Sequence, residues 1–96
     1  MISKQNMKLG ADFFVVHKTF DENRPVLVRL VGIQNQVYIE NLVTQEKITK
    51  TKYLLTPVES IDTSRSEHYK KSYVLSEDFL EQIFWTKEGA EKYLQK

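Results

Sequence analysis

A chain of 96 residues with a formal net charge of +1, no cysteine, three glycines and two histidines excludes most catalytic and metal-binding constellations. Its length fits one domain around one core, and the absence of cysteine excludes a disulfide framework and points to a reducing compartment, with cytoplasm as the expected location. The near-neutral charge sets up no global field toward nucleic acid or an anionic membrane, and no apolar run approaches the ~18 residues that span a bilayer.

The hydrophobic fraction of 41%, with five Phe, five Tyr and one Trp, suffices to close a core without metal or cofactor. The polar opening MISKQNMKLG has no clear period and no apolar segment of signal-peptide length. It reads as an arm ending at Gly10. The aromatic and β-branched run from Ala11 to Phe20 predicts a first strand. Asp21 to Pro25 is a polar break, after which VLVRLVGI at 26–33 is the strongest strand signal, with Gly32 marking a bulge. Gln34 and Asn35 suit a tight hairpin, Asn35 taking positive φ, into a third strand at Val37 to Ile39. Thr44, Gln45 and Glu46 break the pattern again, and Ile48 to Thr56 alternates as a fourth strand ended by Pro57. Val26, Val28, Leu30, Val37, Ile39 and Leu54 are the expected core.

Residues 57–72 hold little to bury beyond Val58, Ile61 and Tyr69, and read as a long loop. Tyr73 to Leu75 suits a fifth strand, and Ser76 an N-cap with Glu77 and Asp78 in the first turn. Phe79, Leu80, Ile83 and Phe84 fall on one helical face, while Gln82 to Trp85 equally suits a short strand; periodicity leaves both open. Thr86 as N-cap, Glu88 in the first turn and Ala90, Tyr93 and Leu94 at helical spacing predict a final helix, weakened at Gly89. The whole reads as a single α+β domain, an antiparallel sheet of about five strands curled toward an SH3-like barrel with a C-terminal helix across one end.

The Ile83-Phe84-Trp85 run and the ending TKEGAEKYLQK resemble the close of short phage and mobile-element proteins. In these a small β domain ends in an aromatic-Leu-Thr-Lys-Glu-Glu-Ala-Glu-Lys-like segment. Here Trp85 replaces the aliphatic residue and Gly89 the second Glu. The resemblance covers about the last fifteen residues; it implies a mobile-element origin and a small β domain, often SH3-like, and brings no functional residues with it.

Any general acid or base at neutral pH would begin from His17 or His68, but His17 sits in a strand and His68 in the polar loop, neither with a partner in sequence. Ser64 and Ser66 near His68 lack a glycine elbow or oxyanion nest, and Gly10, Gly32 and Gly89 make no phosphate-cradling pattern. Catalysis is not expected, and neither is zinc. Two surfaces stand out. Lys47, Lys50, Lys52 and Tyr53, with Arg65, Lys70, Lys71 and Tyr73, combine bases and aromatics as a nucleic-acid surface does, although alternation puts Lys47 on the face opposite Lys50 and Lys52. The acidic tail around Trp85 and Tyr93, with Glu88 and Glu91, suits a protein partner with a basic groove. The expected function is a non-enzymatic phage or mobile-element protein that occludes a host macromolecule, such as a component of a defence system. The alternatives are a small nucleic-acid-binding barrel using Lys50, Lys52, Arg65, Lys70 and Lys71, and a phage assembly subunit.

Overall fold

A computed structural model describes residues 2–60 and 72–95. Branched and aromatic side chains set five antiparallel strands: β1 (Asp12–His17), β2 (Asp21–Asn41), β3 (Glu46–Pro57), β4 (Tyr73–Ser76) and β5 (Ile83–Phe84). They form one sheet in the order β4-β3-β2-β1-β5. The first four follow one another as a meander, and β5 returns to pair Phe14 with Phe84 and Val15 with Ile83. A C-terminal helix, α1 (Lys87–Leu94), completes the α+β fold. The sheet is open, with β4 and β5 as its two edges, so the expected curl toward a barrel does not close.

Strand alternation sends Phe13, Val15, Val28, Leu30, Tyr53, Leu55, Leu75 and Ile83 to one face, where they form a continuous core with none above 2% exposure. The opening segment is part of this core and not a free arm. Ile2 and Met7 pack into it, and the turn between them is held by Ser3 and Asn6, whose main-chain and side-chain groups cap one another. An ion pair of 2.7 Å joins Lys4 to Glu77. On the opposite face α1 packs over β1, β2 and β5, burying Ala90 and setting the Tyr93 ring 5.5 Å from that of Phe84.

The second strand departs most from the sequence pattern. No turn forms at Gln34 and Asn35; both stay in the ladder opposite Lys52 and Thr51, and the Thr51 hydroxyl donates to the Asn35 side chain at 2.8 Å. The predicted second and third strands are therefore one strand of 21 residues. The reversal comes at residues 42–45, where Asn41 accepts from the Val43 and Thr44 N–H groups and Gln45 takes φ 60°. Positive φ falls on Gln45 and not on Asn35, because the chain reverses at 42–45 and runs extended through Asn35.

The bulge expected near Gly32 is present: the register shifts between Leu30, opposite Leu55, and Gly32, opposite Leu54. A Cβ at Gly32 would come within 3.3 Å of the Leu54 side chain. The added residue changes which parity of β2 faces the core, from Val28 and Leu30 to Ile33, Asn35, Val37 and Ile39. Val37 and Ile39 were expected in the core, but they are 64% and 51% exposed, because the sheet beneath them has narrowed to two strands. Val26 and Leu54 are half-buried.

Of the two readings of residues 77–85, the strand holds at Ile83–Phe84, so Phe79, Leu80, Ile83 and Phe84 do not share one helical face. A 3-10 turn over Glu77–Gln82, with the Ser76 hydroxyl accepting from the Asp78 N–H, leads into β5. Of the expected 57–72 loop, Val58–Ser60 form a 3-10 turn; Ile61, Ser64, Arg65, Ser66, His68, Tyr69, Lys70 and Lys71 lie outside the described residues.

Candidate functional site

Two features stand clear of the core, and both are made by residues that continue its face. The first is Trp85. Ile83 is buried and Thr86 caps α1 by accepting from the Gly89 N–H at 3.1 Å, so the backbone on either side of Trp85 is fixed. Its ring centroid lies 5.0 Å from that of the wholly buried Phe13, yet Trp85 remains 52% exposed. This is a large amphipathic side chain resting on the core with half of its surface in water.

The second is the far half of the β2–β3 hairpin. Beside β1 the ladder of β2 reaches only to Leu30, whose N–H donates to Ala11 while its carbonyl accepts from Gly10. On the other side β4 pairs only with Lys52 to Leu55. Among the described residues, 35–41 and 46–51 therefore pair only with each other. At ~3.4 Å per residue they form a two-stranded ribbon roughly 20–24 Å long. Ile33, Val37 and Ile39 continue the core face along it, Tyr38 lies on the opposite face, and Leu42 and Val43 at the tip are 81% and 92% exposed.

No family model, curated protein or solved structure matches this chain. The site therefore rests on its own geometry.

Of the partner-binding set, Trp85 and Tyr93 are not brought together. Trp85 joins Phe13 on the core face, whereas Tyr93 packs on Phe84, the residue after Ile83, which points to the helix face. Glu88 and Glu91 are exposed on α1; Glu88 lies in its first turn, and Glu91 is 3.9 Å from Lys87, one helical turn away. Of the basic set, Lys50 and Lys52 share one face of the hairpin opposite Gln36 and Gln34, and Lys47 lies on the other face opposite Ile39. Arg65, Lys70 and Lys71 lie outside the described residues. Among the described residues no three His, Asp or Glu side chains are gathered as a metal would require, and no helix is long and apolar enough to cross a membrane.

An open groove of about 370 Å³ lies between the end of β1, the 77–82 turn and α1, lined in part by His17, Lys18, Glu22, Phe79 and Tyr93. His17 is held there by an edge-on contact with Phe79, ring centroids 4.8 Å apart, and its Nδ1 accepts from the Thr19 N–H at 3.1 Å. Partial burial, with Lys18 as a lesser cause, lowers its pKa below the ordinary imidazole value. The arrangement orders the Thr19 turn.

Sequence reasoning singled out Trp85 but not its contact with Phe13, since seventy-odd residues separate the two and only the β1–β5 pairing joins them. It missed the exposed hairpin entirely. The available signal was the length of the alternating run through Gln34 and Asn35, which a two-residue turn was invoked to divide.

Proposed function

We propose that this chain is a non-enzymatic binding protein that works by covering a macromolecular surface, with Trp85 as its anchor. The observation that carries the reading is the half-exposed Trp85 ring fixed against the buried Phe13. A preset aromatic side chain sacrifices little rotamer entropy on binding, which is why such residues dominate interface energetics. Glu88 and Glu91 on the neighbouring helix favour a partner that is basic beyond the contact itself. The ending TKEGAEKYLQK supports a phage or mobile-element setting, in which the covered surface belongs to a host protein such as a defence complex.

The test is affinity capture from nuclease-treated host lysate by wild type and by Trp85→Ala, with circular dichroism on both. A specific protein retained by wild type and lost by a still-folded Trp85→Ala supports the reading; equal retention by both removes Trp85 from it. Retention that vanishes on nuclease treatment transfers the function to nucleic acid, with Lys50 and Lys52 as the first residues to replace.

A further inference from the structure

We infer that the exposed edge of β2 in the hairpin, residues 34–41, is an interface for a second copy of this chain, paired antiparallel about a twofold axis at Tyr38. A two-stranded ribbon is marginal in water, and an unpaired strand edge is a template for another strand. The two edges of this ribbon differ. The free β3 edge carries Lys47 and Lys50 within six residues, the side chains that deter pairing at an exposed edge. The β2 edge carries one charge, Glu40, over QNQVYIEN, with no lysine or proline to deter pairing.

Self-pairing about Tyr38 matches this segment to itself. Tyr38 lies opposite its own twin, Val37 opposite Ile39 of the second copy and Ile39 opposite its Val37, so both apolar cross-strand pairs fall on the core face. Glu40 lies opposite Gln36, so no like charges meet. Ile33, Val37, Tyr38, Ile39, Leu42 and Val43 are 39% to 92% exposed. Together they present on the order of 500 Å² of apolar surface, the upper part of the range for the largest patch on a soluble monomer. Pairing of the two edges would cover part of this surface and add the shared backbone hydrogen bonds. The interface uses one patch on both copies, as a twofold dimer requires. It shares no residue with the Trp85 surface, which lies across β1 and next to β5.

The chain has no cysteine, so single-cysteine variants report the geometry directly. Sedimentation equilibrium of the full chain should give a dimer at micromolar concentration. Tyr38→Cys should form an intermolecular disulfide with oxidised glutathione, because directly paired residues have Cα atoms about 4.5–5.5 Å apart. Ile48→Cys, opposite Tyr38 on β3, should not, because its twin would lie three strand spacings away, about 14 Å. Val37→Lys, at an exposed position, should keep the fold and raise the dissociation constant of the dimer at least about tenfold. A monomer throughout the micromolar range would overturn the inference and leave the hairpin to a different partner. A dimer in which Ile48→Cys cross-links as readily as Tyr38→Cys, or which Val37→Lys leaves intact, would overturn the β2 edge as the interface.

Discussion

Leu30 and Val37 lie in the same strand on the same face, yet Leu30 is fully buried and Val37 is 64% exposed. Leu30→Ala is expected to cost about 2–5 kcal/mol, the range for truncating a buried leucine. Val37→Ala should stay within about 0.5 kcal/mol in the single chain. Paired thermal melts at submicromolar concentration check both, and similar losses at the two sites would contradict the exposure assigned to the hairpin. The contrast also marks where the sequence stops informing. Alternation tells that Val28, Leu30, Val37 and Ile39 belong to a strand, but whether anything covers them depends on how far β1 and β4 reach, which no local pattern encodes. His17 offers a pH test. Its folded pKa is lowered, chiefly by burial, so the unfolded chain takes up its proton first as pH falls through the ordinary value near 6.5. Stability from the neutral imidazole is complete above that value and is lost progressively below it. Between about pH 7.5 and 5.5, wild type should lose stability that His17→Phe retains, as followed by urea midpoints; parallel profiles would show that His17 titrates as in the unfolded chain.

At the scale of elements, the C-terminal helix was the most legible part of the chain, and the reason is local. Thr86 and Gly89 meet through a hydrogen bond between a side chain and a main-chain group three residues on, a pattern written entirely in neighbouring residues. Removing it with Thr86→Ala should cost about 1 kcal/mol, read by chemical denaturation, and because the cap also fixes Trp85 the variant should show a changed near-ultraviolet tryptophan signal. An unaltered midpoint would mean that docking of Ala90 and Tyr93 alone determines the helix. An extra turn was read at Gln34-Asn35 because the pair is polar and short, as hairpin turns are, while the true reversal at 42–45 overlaps the break read at Thr44, Gln45 and Glu46 but begins earlier, with Leu42 and Val43, which resemble strand residues. Gln45 adopts φ 60° there, a region that costs a non-glycine residue roughly 1–2 kcal/mol. Since glycine loses some of that gain to its greater freedom when unfolded, Gln45→Gly should raise stability by up to about 1 kcal/mol; a decrease would show that the Gln45 side chain contributes more than its backbone strain costs.

At the scale of the whole molecule, the radius of gyration is 15.2 Å, against about 12 Å for a compact domain of this length. The excess agrees with a body that ends near Ile33 and Tyr53 and a ribbon that continues past it. The core cluster of Ile2, Met7, Phe13, Val15, Val28, Leu30, Tyr53, Leu55, Leu75 and Ile83 draws on no residue between 34 and 52. The body should therefore fold without the ribbon. Asn35 and Thr51 are directly opposed, as the residues flanking a two-residue hairpin loop are, so residues 36–50 can be replaced by Asn-Gly, which favours the type I′ turn such a loop requires. The shortened chain is expected to melt cooperatively within a few degrees of the monomeric wild type, since it loses little buried apolar surface and gains a shorter closure. It should also sediment as a monomer at every concentration while retaining any partner held through Trp85. If the shortened chain fails to fold, the ribbon supports the body after all, and its exposed side chains then owe their place to stability within one molecule and not to contact between two.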